Sequence, residues 1–175
     1  METLTPGSIQ QAFASGSSGP SGRPVAQLSF ALNHYFSGFN PFAFKATNLA
    51  IHLACGILVF GLAFRLLTGA RPLAQQRNIL IASGIAAVIW LLHPIQLLPV
   101  LHVVQRMTSL SAFFLLAALL LHIHGRERGG RAGAALLFVA WGVFWPLSFF
   151  SKETGALFPF CARACELILR SRSGG

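Results

Sequence analysis

Five apolar stretches, set off from one another by arginines, dominate this chain. They are Ala43–Leu67, Asn78–Leu92, Leu97–Ile123, Ala132–Phe150 and a shorter Gly155–Leu169. A helix needs about 20 mostly apolar residues to cross the roughly 30 Å hydrocarbon layer of a bilayer. Three of the stretches reach that length and two are borderline. Hydrophobic residues make up 54% of the 175 and charged ones 10%, a balance that a soluble domain of this length rarely shows. The expected fold class is therefore all-α: a polytopic transmembrane helix bundle of four to five membrane helices, with the lipid bilayer as its first partner.

Thirteen basic residues against four acidic ones would otherwise suggest a nucleic-acid binder. Such a protein gathers its charge on one continuous face with aromatic residues between, whereas here membrane-length spacers separate the charges, so nucleic acid is excluded as a partner. The charges report orientation instead. Arg65, Arg71 and Arg77, then Arg126, Arg128 and Arg131, then Arg163, Arg170 and Arg172 fall on one set of alternate sides; Arg23, Lys45, Arg106 and Lys152 fall on the other. Lys/Arg-rich loops stay in the cytoplasm. Residues 1–42, the His93–Gln96 turn and the Ser151–Thr154 turn are then expected outside. The localisation this implies is an integral, multi-pass membrane protein, in the plasma membrane or, for a bacterial source, the inner membrane.

Residues 1–22 read as a flexible outer segment, with the Gly/Ser-rich run ASGSSGPSG at Ala14–Gly22; residues 23–170 form the membrane region and 171–175 a tail. Met1–Gly22 contains no basic n-region, apolar h-region or cleavage site. Either the first helix carries the short N-terminus across, or the chain is a piece of a longer protein whose upstream helix is missing; the second is the expectation. Arg23–Phe39 reads as an amphipathic helix lying in the interface, opened by Pro24 and stopped by Gly38, with Leu28, Phe30, Leu32, Tyr35, Phe36 and Phe39 as its apolar residues. Asn40–Pro41 suits an N-cap and first helical position. Asn78 is expected to cap the second membrane helix, Pro94 to end it, Pro99 to lie near the start of the third, and Gly129–Gly130 to break the chain before the fourth.

Chemistry in such a chain should appear as polar groups within apolar helices. His102, Gln105, Arg106 and Ser109 are spaced i, i+3, i+4, i+7, which on a continuous helix puts all four on one face. An arginine at membrane depth costs at least ~2.5–3.5 kcal/mol unless paired or wetted, so this face is expected to line a cavity; the alternative is that Arg106 snorkels to the outer surface. Lys45, Asn48 and His52 form a second polar set, and Ser151-Lys152-Glu153-Thr154 a third. Neighbours in sequence, Lys152 and Glu153 cannot point the same way on a helix, so at least one should find a partner elsewhere. His93, beside Pro94, reads as a turn residue. All three sets lie on the outer side, which sketches an extracytoplasmic cavity suited to an anionic group such as a lipid phosphate. No histidine, cysteine or carboxylate set has metal-ligand spacing, and no cofactor motif is present. The chain has no aspartate, and its glutamates are Glu2, Glu127, Glu153 and Glu166. A general base at an outer site is therefore Glu153 or is missing.

Three segments in order, GRPVAQLSFALNHYFSGFNPFAFKATNLAIHL, HPIQLLPVLHVVQRMTSLSAFFLLAALLL and SKETGAL, resemble membrane glycosyltransferases of the GT-C type. Within them the likeness is to the tetratricopeptide-linked branch that includes the eukaryotic O-mannosyltransferases. The resemblance runs from about Arg23 to Leu157. It implies a polyprenyl-phosphate sugar donor, a protein or glycan acceptor and a reaction on the extracytoplasmic face. The family's HP…QR element maps to His93, Pro94, Gln105 and Arg106, and its SKE element to Ser151, Lys152 and Glu153. The family's first membrane helix and the Asp-bearing outer loop that follows it have no counterpart here, so the resemblance implies an N-proximal fragment, inactive on its own. In that reading Arg106 and Lys152 neutralise the phosphate, while Gln105, His102, Asn48 and His93 hydrogen-bond donor or acceptor. The competing reading is a non-catalytic membrane scaffold whose polar stripes serve helix packing.

Overall fold

The computed structural model describes residues 22–68 and 76–173. Residues 1–21, all but the last of the segment read from sequence as flexible and outer, lie outside the described residues, as do Arg71 and residues 174–175. Among the described residues the chain is helical, with no strand. Helix α1 spans Pro24–Ser37, with Pro24 in its first turn and Gly38, at φ 60°, closing it by an N–H bond to the His34 carbonyl. Helix α2 spans Pro41–Thr68. As expected, Asn40 caps it: its Oδ1 accepts the Phe42 N–H at 3.0 Å.

Helix α3 runs Gln76–Leu92. Its first residue lies two before Asn78, so Asn78 sits inside the helix and is not its cap. Pro94 does end it, opening a single tight turn at Pro94–Gln96 that leads into the short helix α4, Leu97–Leu101. The bend between the two parts is 54°. A further tight turn, Val103–Gln105, precedes helix α5 at Arg106–Arg128. The Leu97–Ile123 stretch is thus not one helix. His102 adopts extended backbone, with φ −94° and ψ 117°. Pro94 and Pro99 each remove a backbone donor from this region, which leaves a continuous helix poorly supported there.

Gly129 and Gly130, at φ 61° and 57°, break the chain as expected. Helix α6 follows at Gly130–Val139, passes through a wide π turn at Ala140–Phe144 and continues as α7, Trp145–Ser151. Pro146 has no N–H for the carbonyl of Gly142, and the wide turn just before it takes up the mismatch. A tight turn, Glu153–Leu157, leads to α8, Phe158–Ser173.

By length and composition three helical segments can cross a membrane: Pro41–Thr68, Val103–Arg128 and Gly130–Ser151. Gln76–Leu92 with Pro94–Leu101 makes a fourth if the bent pair is one span. The fifth apolar stretch, Gly155–Leu169, does not form a spanning helix of its own; α8 carries Arg163 and Glu166 within its 16 residues.

Helix α5 is the centre of the bundle, packed by α2, α6, α7 and α8. Its Ala118, Leu119 and Ile123 form a core with Phe158, Ala162 and Cys165 of α8, flanked by Trp141 and Trp145. The α5–α6 hairpin closes through glycine: a Cβ on Gly133 would stand 2.5 Å from the Gly125 carbonyl oxygen. At the α1–α2 corner, Tyr35, Phe36, Phe39 and Phe42 stay exposed, as suits rings placed at headgroup depth.

Candidate functional site

The first residue of α5 organises one end of the bundle. Arg106 is fully buried. Its Nε donates to Asn48 Oδ1 at 2.7 Å, and its Nη1 to the Ser29 carbonyl at 3.2 Å. Its Nη2 donates to Asn33 Oδ1 at 2.8 Å and the Phe44 carbonyl at 2.9 Å. The Phe30 and Phe44 rings lie 4.8 and 5.3 Å from the guanidinium carbon, close enough for cation–π attraction. Four of its five N–H donors are therefore used on α1 and α2. Asn48 is also fully buried, and its Nδ2 donates to the carbonyls of Val100 and His102 at 3.4 and 3.3 Å.

The break at His102 divides the residues that sequence spacing had grouped. His102 and Gln105 are exposed, while Arg106 and Ser109 are buried. His102 and Gln105 line a cavity of about 310 Å³ together with Arg23, Thr108 and Lys152, and Leu98, Val104 and Met107 supply its apolar wall. Lys152 Nζ donates to Thr108 Oγ1 at 2.8 Å. Arg23 donates to both oxygens of Glu153, at 3.3 and 3.0 Å, and to Met107 Sδ at 3.3 Å. Lys152 and Glu153 take different partners, Thr108 and Arg23. Arg106 and Asn48 are not among the residues that line this cavity.

The turn carrying Lys152 and Glu153 is fixed from below. Ser111 Oγ lies 3.2 Å from both Ser148 Oγ and Thr154 Oγ1, Ser148 Oγ donates to the Ser111 carbonyl, and Trp145 Nε1 donates to the Gly155 carbonyl. His93 lies elsewhere: its Nδ1 accepts the Ile95 N–H at 3.3 Å, the turn role its place beside Pro94 implied. Lys45 is exposed on α2, and His52 bonds the Leu91 carbonyl and stacks on Trp90. Two cavity residues, Arg23 and Thr108, were not picked out by spacing. Arg23 is 130 positions from its Glu153 partner, a separation that no local pattern reveals, and Thr108 looks like one more residue of an apolar helix.

The other end of α5 is a separate electrostatic region. Glu127 pairs with Arg65 at 2.9 Å, and Glu166 meets His122, Arg126 and Arg163. Trp141 Nε1 donates to His122 Nδ1 at 3.1 Å. Arg106 and Glu127 are 21 residues apart on one helix, or roughly 30 Å. Among the described residues no group of three or more His, Cys, Asp or Glu side chains could hold a metal ion.

Fold and site together define a polytopic, all-helical membrane protein with a cationic cavity at one end of its bundle. Its sequence is related to part of the protein O-mannosyl-transferases. It is 30% identical over 126 residues to "Protein O-mannosyl-transferase TMTC4" of Homo sapiens, covering 70% of this chain and 17% of that protein. It is 28% identical over 150 residues to "Protein O-mannosyl-transferase TMTC1" of Mus musculus, 82% of this chain and 15% of that one. It is 31% identical over 134 residues to "Protein O-mannosyl-transferase TMTC2" of Homo sapiens, 76% and 15%. The chain spans about one sixth of the length of these curated relatives. No protein-family model and no solved structure matches it.

Proposed function

We propose that this chain forms the donor-phosphate end of a membrane mannosyltransferase that moves a sugar from a polyprenyl phosphate to a protein or glycan acceptor on the extracytoplasmic face. The observation that carries the reading is the cavity, with Arg23, Lys152, His102, Gln105 and Thr108 on a single wall system beside Leu98 and Val104. As the bond from the sugar to the phosphate oxygen breaks, negative charge collects on the phosphate. Fixed cations aimed at that charge stabilise the transition state more than the ground state. Lys152, already oriented by Thr108, is the side chain best placed to do this. The apolar wall suits the first isoprenoid unit of the carrier.

Glu153 is the carboxylate nearest this chemistry, and Arg23 pairs with it at 3.0 Å. It is the candidate base for the acceptor hydroxyl. With no aspartate among the 175 residues, the expected activity of this stretch alone is donor binding without sugar transfer. Orientation follows from charge. Arg65, Arg126, Arg128 and Arg163 gather at the end away from the cavity, and an arginine-rich end is retained in the cytoplasm.

A packing role, the scaffold reading, is favoured for Arg106 and Asn48, because their polar atoms are satisfied by the protein itself. Binding of polyprenyl phosphate to the protein in lipid nanodiscs tests the proposal. Lys152→Gln is expected to weaken it about tenfold, about 1.4 kcal/mol, with the fold intact. Equal affinity of the variant and the parent would remove the phosphate role, and measured sugar transfer by this stretch alone would make Glu153 a working base.

A further inference from the structure

Two buried side chains that do not line the cavity, Asn48 and Arg106, are bonded to the segments that carry its lining residues. Asn48 Nδ2 holds the carbonyls of Val100 and His102, which lie where helix α4 ends and the chain extends at His102. Val100 is in the last turn of α4, where carbonyls have no helical donor, and this amide supplies one; the His102 carbonyl accepts the Gln105 N–H at 3.0 Å as well. Its Oδ1 is in turn held by Arg106 Nε at 2.7 Å. Two further nitrogens of the same guanidinium hold α1 at Ser29 and Asn33, and α1 begins one residue after Arg23. Two walls of the cavity are thus tied to one buried cation: the His102–Gln105 turn through Asn48, and Arg23 through α1.

We infer that Asn48 and Arg106 are positioning residues, setting the place of His102, Gln105 and Arg23 around the bound anion without contacting it. The inference rests on the proposed donor site for what is bound, while the placement itself is independent of any ligand. The family resemblance implied direct contact of both residues with the substrate; their complete burial and their partners support the indirect role.

Asn48→Asp separates the two halves of the device. The carboxylate keeps an acceptor for Arg106, and adds charge to it, but cannot donate to Val100 and His102 and sets an anion against their carbonyls. The protein is studied in lipid nanodiscs by hydrogen exchange and by binding of polyprenyl phosphate. The expected result is faster exchange confined to residues 98–106, unchanged protection in the rest of α2 and α5, and affinity weakened about tenfold. Arg106→Lys, which keeps the charge but loses the Nε bond to Asn48, should loosen the same segment and serves if the aspartate variant does not fold. Unchanged exchange over 98–106 in the folded variant, or a loosened segment with parental affinity, would overturn the inference. If the parent itself binds no polyprenyl phosphate, the donor reading falls, and the exchange result still decides whether the pair positions the turn.

Discussion

At the scale of single residues, the instructive case is Arg106. Its residue type and depth were enough to mark it as a group needing partners, since an unpaired arginine in hydrocarbon is strongly disfavoured. Which partners it takes was not legible, because they come from Ser29, Asn33, Phe44 and Asn48, which lie 58 to 77 positions away. The i, i+3, i+4, i+7 pattern failed for a definite reason: it assumes one helix, and His102 is not helical. The energetic consequence can be measured. Arg106→Leu removes four donated bonds and leaves Asn33, Asn48 and two carbonyls without that donor in the bundle. Each buried group left unsatisfied costs about 1–3 kcal/mol, so a fall in thermal midpoint and in abundance is expected. Arg106→Lys should recover part of the loss, because an ammonium has three donors on a point charge in place of a planar fork. A leucine variant as stable as the parent in a detergent melting experiment would show that the guanidinium is not holding α1 and α2 together.

At the scale of elements, most ends were legible, the start of α3 at Gln76 rather than Asn78 being the exception, and the interiors were not. Pro24, Gly38, Asn40, Pro94 and the Gly129–Gly130 pair all act where local chemistry places them, because caps and breaks are decided within a turn of chain. The close approach of α5 and α6 depends on what packs alongside, which hydropathy does not encode. That approach yields a controlled comparison. A Cβ on Gly133 would meet the Gly125 backbone at 2.5 Å, whereas one on Gly84 meets nothing within 4 Å. Gly133→Ala is expected to lower stability by about 1–3 kcal/mol through overpacking, and Gly84→Ala to be neutral or slightly stabilising, alanine being the better helix former by about 1 kcal/mol. Similar melting of the two variants would mean that the hairpin opens without loss.

For the whole molecule, the contacts decide how many times the chain crosses the bundle. The starts of α2 and α5 meet at Asn48 and Arg106, and their ends meet at Arg65 and Glu127. The two helices therefore run parallel, so the chain between them must return the full depth of the bundle. That return is α3, and it makes the bent pair Gln76–Leu92 and Pro94–Leu101 a crossing segment rather than a surface loop. Hydropathy alone left this segment borderline because Asn78–Leu92 gives only about 22 Å of helix; the two further residues at the start of α3 and the bent continuation supply the rest. Four crossings put the α1–α2 corner and the Lys152–Glu153 turn on one side, and the Gly129–Gly130 turn on the other. An epitope inserted between Gly129 and Gly130 is then expected on the arginine-rich side, which the proposed orientation puts in the cytoplasm, and one inserted within residues 14–22 on the opposite side. Protease and antibody access in sealed vesicles of known orientation reads both. Exchanged sides would overturn the charge argument while leaving the helix order intact. Both epitopes on the same side would mean that α3 does not cross, which contradicts the pairing of Arg65 with Glu127 at one end and Asn48 with Arg106 at the other.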